Sequence, residues 1–267
     1  MSETVSSAKL RLDEALVARG LVETRSRARA LILARDVMLN GAVIDRAGAP
    51  VKPADEIALV VKARFASRGG EKLDHALERF GVDVAGMAVA DLGASTGGFS
   101  DCLLQRGAGR VYAVDVGYGQ LAERVRTDPR VVVMDRTNAR HLESLPEAVD
   151  LVVIDVSFIS LKLILPVAAR LLKPGGACVP LIKPQFEAGA KDLGKGGVVR
   201  DSAVHRRVLG EIVTASGEQG FGVLGLTAST LKGPAGNVEF LAHLVLGAAD
   251  GDGTAMIDEA MKEAATR

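Results

Sequence analysis

The chain has 267 residues, 33 Lys and Arg against 33 Asp and Glu, 48% hydrophobic residues and only 3% aromatic ones, with no Trp. That length accommodates one large domain, or a large one with a small companion, and the balance of charge and hydrophobicity excludes a disordered polyelectrolyte. The scarcity of aromatics argues against a stacking platform of the single-strand-binding kind.

Two cysteines, Cys102 and Cys178, are too few for a disulfide framework and lack metal-ligand spacing, so no metal is expected. The N-terminus MSETVSSAKLRLDEAL has neither the basic start nor the apolar centre of a secretion signal. No apolar run approaches the ~18 residues of a membrane span. The expected setting is the cytoplasm, without a membrane partner.

In chain order, LRLDEALVARGL at 10–21 places Leu12, Leu16 and the neighbouring alanines on one helical face, and Gly20 ends it. A second helix starts at Thr24, a residue type suited to the N-cap, with Ala28, Leu31 and Ile32 turned inward and Arg25 and Arg29 outward. VMLNGAVI then reads as a hairpin, its Asn40-Gly41 pair suiting a type I′ turn. Between residues 9 and 64 there are eleven Lys and Arg against seven Asp and Glu. A small basic α+β module, residues 1–61, therefore precedes a mildly acidic body, and polyanion binding belongs to it. Lys9, Arg11, Arg25 and Arg29 are its expected RNA contacts. Residues 62–70, KARFASRGG, read as a linker that adds Arg68 to that set.

Residues 71–267 change pattern. The apolar strands MAVADLG, RVYAVDVG, RVVVMD, DLVVIDVSF, ACVPLIKP, GVLGLTAST and FLAHLVL alternate with helical stretches. Strands apolar throughout imply a parallel sheet covered on both faces, a doubly wound α/β fold. The tail DGDGTAMIDEAMKEAATR reads as an acidic loop and a terminal helix.

The first strand of this body ends in DLGASTGGFS, residues 91–100. Gly93, Gly97 and Gly98 at a strand-to-helix turn let a ligand approach the backbone, as open α/β sheets require. The spacing is not the G-x-G-x-x-G of a nicotinamide loop, and Asp91 before the first glycine suits a cationic ligand without phosphates, such as S-adenosylmethionine. Ser95 and Thr96 lie within the same turn. Asp115, ending the next strand, is placed to accept from two ribose hydroxyls, and Asp135 and Asn138 after the third strand are placed to read an adenine edge. Asp155, Lys183 and Glu239 stand at strand ends or in loops, and Lys72 precedes the first strand. A plain sheet needs none of these polar groups.

The blocks SRGGEKL, DLGASTGGFSDCLL, AVDVGYGQL, DRTNAR, VDLVVIDVSFISL, LIKPQFE, GGVVRD and GPAGNVEF resemble the TlyA family, often labelled hemolysin A. The resemblance implies an S-adenosylmethionine-dependent ribosomal RNA 2′-O-methyltransferase acting on cytidine, in 16S or 23S RNA or both, within ribosomal subunits. It implies a small N-terminal RNA-binding domain of the ribosomal-protein S-four type followed by a Rossmann-like, FtsJ-like methyltransferase domain. In that wider group a Lys-Asp-Lys-Glu tetrad is catalytic, and its motifs fall on Lys72, Asp155, Lys183 and Glu239. The linker departs from the family's Trp or Tyr followed by Val, having Phe65-Ala66 instead.

A ribose hydroxyl must lose its proton as it attacks. A lysine assists as a neutral amine or by stabilising the developing alkoxide. Pro184 stiffens the chain where Lys183 must point at substrate. Rival chemistries lack their groups: the fourth strand is followed by Asp155-Val156-Ser157-Phe158, not the Asn/Asp-Pro-Pro-aromatic loop of amine methylation. Cys178 is not placed as the nucleophile of carbon methylation. A pore-forming cytolysin would need an inserting segment, and an inactive RNA-binding scaffold would not need the tetrad.

Overall fold

In the computed structural model the chain divides into two compact units, Met1–Ala63 and Arg64–Arg267, of which residues 10–60 and 63–266 are described here. Lys9 lies outside the described residues.

In the first unit, β1 (Leu10–Arg11) leads into α1 (Leu12–Ala18), and α2 (Arg25–Leu33) follows. The chain leaves α1 through Gly20 at φ +68°, with the Leu21 N–H returning to the Leu16 carbonyl, the left-handed stop the sequence implies. Thr24 caps α2 by accepting from the Arg27 N–H at 3.2 Å. β2 (Val37–Leu39) and β3 (Ala42–Val43) form the hairpin, with Asn40 and Gly41 both at positive φ as a type I′ turn demands. β4 (Pro50–Val51) pairs with β1, and β5 (Ile57–Leu59) pairs with β2. Leu12, Ala15, Leu16, Ala28, Ile32 and Val37 close a small core.

The second unit opens with α3 (Gly69–Phe80), so the stretch read as a linker is partly helical, and Phe65 is buried. Seven strands follow: β6 (Ala88–Leu92), β7 (Arg110–Val114), β8 (Val131–Met134), β9 (Val149–Ile154), β10 (Leu172–Ile182), β11 (Phe221–Ala228) and β12 (Phe240–Leu246). Their order in the sheet is β11-β12-β10-β9-β6-β7-β8. All seven apolar runs are strands, but the sheet is not wholly parallel. β12 is antiparallel to both β10 and β11, because the chain between β11 and β12 is too short for a helical crossover.

One face is covered by α3 and α4 (Gly98–Gln105). The other is covered by α6 (Leu165–Leu171), α8 (Ser202–Glu218) and α9 (Gly253–Ala265), while the short α5 (Glu123–Arg126) and α7 (Pro184–Glu187) sit in connections. From β6 the chain proceeds to β7 and β8 on one side, then returns to β9 on the other. This reversal opens a crevice at the carboxyl ends of β6 and β9.

Candidate active site

The turn after β6 is shaped first by the protein's own packing. A side chain at Gly93 would come within 2.6 Å of the Asp155 carbonyl, so a glycine lets β6 and β9 close together. At Gly97 it would press on Leu121 and Val125, and at Gly98 it would collide with the Ser67 hydroxyl. Gly93 and Gly98 also line the cavities at this turn, while Gly97 packs against Leu121 and Val125. Ser95, at φ +48°, carries the turn outward.

Two adjoining cavities open at this end of the sheet. The first, about 310 Å³, is lined by Val114, Val116, Ile159 and Ile164 together with Asp115 and Asn138. Asp115 is half-buried, and its two carboxylate oxygens accept from the Ser95 N–H at 2.8 Å and the Gly117 N–H at 2.7 Å. That fixes a carboxylate beside an apolar slot, a chemistry suited to a nucleoside. Asn138 also lines the slot, but its side-chain oxygen accepts from the Arg140 N–H. Asp135 accepts from the Gly119 N–H at 2.9 Å and lies outside the residues that line this cavity.

The second cavity, about 480 Å³, brings Lys72, Asp155, Lys183 and Glu239 together with Ser67, Arg68 and Thr96. Gly93, Ser95, Asp155 and Ser157 belong to both walls and form the partition. The four tetrad residues make two ion pairs: Lys183 Nζ to Asp155 Oδ1 at 2.6 Å and Lys72 Nζ to Glu239 Oε2 at 2.5 Å. Glu239 and Lys72 are buried, Lys72 rising from α3 and Glu239 entering β12.

Lys183 follows the last residue of β10, and Pro184 begins α7 directly after it. A residue before proline is held extended, and Lys183 has φ −113° and ψ 99°. Its ammonium donates to the Val156 carbonyl and the Ser157 hydroxyl, each at 3.0 Å.

Ser157 and Phe158 are functional candidates that sequence reasoning passed over. Phe158 is 91% exposed at φ +63°, with its ring 5.0 Å from that of Phe186, which underlies the Lys183 ammonium. A bulky residue in the left-handed region, unburied, is held there at a cost in strain. The available signal was an aromatic at a strand end in a chain with few aromatics.

Asp91 does not face either cavity. It is fully buried beneath the turn, where Ser100 donates to Oδ2 at 2.6 Å and Oδ1 has no hydrogen-bond partner among the described residues. Its expected direct contact with a cationic ligand is thus corrected. Burial pushes its carboxyl up to about 7, against the lowering effect of the Ser100 hydroxyl, with the charges of Asp155 and Asp115 adding to the rise. Below about 3.8 the group is protonated in both states, and its contribution to stability is intact. Between 3.8 and about 7 the unfolded chain has released a proton that the fold retains, so stability is lost as pH rises. Asp91→Asn should therefore gain on the wild type in thermal denaturation from pH 4 to 7, by an amount on the order of a few kcal/mol, and then level off. A difference independent of pH would show that Asp91 is already ionised in the fold.

In the first unit the expected RNA-facing arginines converge on a carboxylate. Asp13, fully buried, accepts from Arg11 at 3.0 Å, Arg29 at 2.9 Å and Arg25 at 3.3 Å. Burial alone would raise its pKa, but the hydrogen bonds from Arg29, Arg11 and Arg25 outweigh it and hold the carboxyl well below the usual range. The three guanidinium side chains remain about half exposed. Each has five donors in a planar fork, so Asp13 orients them and leaves donors for another anion.

The described features match known proteins over nearly their whole length. The FtsJ-like methyltransferase family matches residues 65–246, and the S4 domain matches residues 10–57. A Bacillus subtilis protein named as a candidate rRNA methyltransferase, YqxC, is 48% identical over 90% of this chain and 87% of its own. The 16S/23S rRNA (cytidine-2′-O)-methyltransferase TlyA of Mycobacterium tuberculosis is 45% identical over 88% of this chain and 90% of its own. Among solved structures, a candidate hemolysin from Streptococcus thermophilus superposes with a TM-score of 0.74 at 42% identity, covering 98% of this chain and 97% of that one.

The fold is that of the Rossmann-like methyltransferases, preceded by an S4 domain. Within that class the chain belongs to the FtsJ-like family, in the group that contains the TlyA and hemolysin A proteins.

Proposed function

We propose that the protein transfers a methyl group from S-adenosylmethionine to the ribose 2′-hydroxyl of cytidine in ribosomal RNA, acting in the cytoplasm on 16S RNA, 23S RNA or both within ribosomal subunits. The observation that carries this reading is the pair of Lys-carboxylate ion pairs in a chamber that shares a wall with an apolar slot bearing a fixed carboxylate. When bound, S-adenosylmethionine supplies the electrophilic methyl group. Asp115 would hold its ribose, and Val116, Ile159, Ile164 and Asn138 of the same slot would take up its adenine.

In the chamber, Asp155 and Ser157 fix the Lys183 amine beside the partition, where it assists removal of the hydroxyl proton or stabilises the oxyanion as it forms. Lys72, held by Glu239, adds a second positive group for the same developing charge. Arg68 lines the chamber without a carboxylate partner among the described residues and is placed to meet a phosphate. The exposed ring of Phe158, at the edge of the first cavity, offers a stacking surface to an unpaired base.

Competing chemistries find less support. Cys178 is fully buried within β10, and burial pushes its thiol far up, opposite to what a nucleophile requires. Among the described residues no helix is long and apolar enough to cross a membrane, which leaves the hemolysin name of some relatives without a helical inserting segment here. Mapping 2′-O-methyl positions in ribosomal RNA from cells with and without the protein tests the reading: one or more cytidine sites should disappear with it, and an unchanged map would contradict it.

The S4 domain supplies much of the RNA affinity in this account. Removing two phosphate-facing cations, in Arg25→Ala combined with Arg29→Ala, should weaken rRNA binding and reduce its log-log salt slope by about 1.5. An unchanged slope would assign these arginines to the domain's own carboxylates, Asp13 and Glu14.

A further inference from the structure

Beyond the tetrad and the cofactor slot, two loops meet at the carboxyl edge of the sheet around one buried amide. Asn237 is 2% exposed. Its side-chain oxygen accepts from the Val199 N–H at 2.9 Å, and its amide donates to the Gly197 carbonyl at 3.2 Å. Its backbone carbonyl accepts from the Gly233 N–H at 2.9 Å, closing the turn 233–237. That turn lies against Glu239: a side chain at Gly233 would come within 2.5 Å of Glu239 Oε1, and Pro234 lines the reaction chamber. A single residue thus ties the glycine-rich loop at 194–199 to the turn that seats a tetrad carboxylate.

The same two loops carry exposed cations. Lys191, Lys195, Arg200 and Lys232 make no hydrogen bond or ion pair through their side chains among the described residues. Asp192, the carboxylate between Lys191 and Lys195, is engaged by Arg207 and so does not neutralise them. In a chain of zero net charge, four unpaired cations on two loops beside the chamber are a localised positive surface. Gly196 and Gly197, at φ +77° and +71°, have open space where side chains would be, so the loop's shape depends on the bonds at its base.

We propose that these loops form a clamp for the RNA sugar-phosphate backbone flanking the target ribose, and that Asn237 is the positioning residue that sets the clamp in register with Glu239 and, through it, Lys72. Backbone gripping by Lys195 and Lys232 then aligns the chamber with its hydroxyl, because the loops and the tetrad share one hydrogen-bonded base. The inference rests on the methyl-transfer reading and gives this catalytic domain its own contact with RNA, separate from that of the S4 domain.

The test uses the full-length protein with ribosomal subunits and radiolabelled S-adenosylmethionine, comparing wild type, the double variant Lys195→Ala with Lys232→Ala, and Asn237→Ala. The lysine pair should raise the KM for RNA about tenfold and reduce the salt slope by about 1.5, with KM changing more than kcat. Asn237→Ala should raise that KM and also lower kcat about tenfold, with S-adenosylmethionine affinity retained, because clamp and Glu239 lose their common register. A purely structural Asn237 would instead reduce the folded fraction, lowering rate per total protein with KM unchanged; that result overturns the positioning role. Wild-type KM and salt slope in the lysine variant overturn the clamp. Wild-type protein that fails to methylate either subunit overturns the methyl-transfer reading itself, which separates the two failures.

Discussion

Lys183→Ala should reduce methyl transfer by about 10³-fold at saturating RNA and S-adenosylmethionine, while fold, cofactor affinity and most RNA affinity persist. The ammonium is anchored by Asp155 at 2.6 Å, the Val156 carbonyl and the Ser157 hydroxyl, on backbone fixed by the following proline. Such a group is placed in advance for charge that develops only as the hydroxyl attacks. Lys183→Arg should fail nearly as badly. A guanidinium retains both charge and proton, and its planar fork does not fit three acceptors gathered around one nitrogen. A lysine that only bound phosphate would be partly rescued by arginine, with the deficit appearing in RNA affinity. Single-turnover rates distinguish these cases, and near wild-type rates in both variants would remove Lys183 from the mechanism.

Asp115→Ala should weaken S-adenosylmethionine binding by about 10²-fold or more, at ~1.5–3 kcal/mol for each charged hydrogen bond lost to the ribose. The structure adds a second contribution. The same carboxylate accepts from the Ser95 and Gly117 N–H groups, so its removal also releases the positive-φ turn after β6 and the loop after β7. Asp115→Asn retains one oxygen acceptor and should fall between alanine and wild type. RNA affinity belongs largely to other surfaces and should change little. Titration calorimetry reads the effect directly, and wild-type affinity in Asp115→Ala would place the ribose elsewhere.

Much of this architecture is legible in the sequence because it is local or periodic. Short apolar runs mark all seven strands, and Thr24, Gly20 and Asn40-Gly41 mark a cap, a stop and a turn by residue chemistry alone. The reversed direction of β12 follows from connection length, not from its apolar pattern, which a parallel strand would share.

The site is legible in its strand-end charges, since a buried sheet has no use for Asp155 or Lys183 at those positions. Which charge pairs with which is a tertiary fact: Lys72 and Glu239 are far apart in sequence and meet only when α3 packs beside β12. The same holds for Asp91 and Asp115. Both are aspartates at or beside strand ends, but Asp91 lies inside β6, where Ser100 of α4 covers it, whereas Asp115 lies one residue beyond β7, where the Ser95 and Gly117 N–H groups meet it. Asn237 escapes sequence reading because a neutral amide in a glycine-rich loop resembles ordinary turn chemistry. Its role depends on a loop nearly forty residues away.

The chemical identity of the methylated product distinguishes ribose from base methylation directly. Purified protein is incubated with ribosomal subunits and methyl-labelled S-adenosylmethionine, and the RNA is digested to nucleosides and separated by mass. Label is expected in 2′-O-methylcytidine, present with wild-type protein and absent with Lys183→Ala. Label in a base-methylated nucleoside, or equal 2′-O-methylcytidine from both proteins, would contradict the proposed transfer.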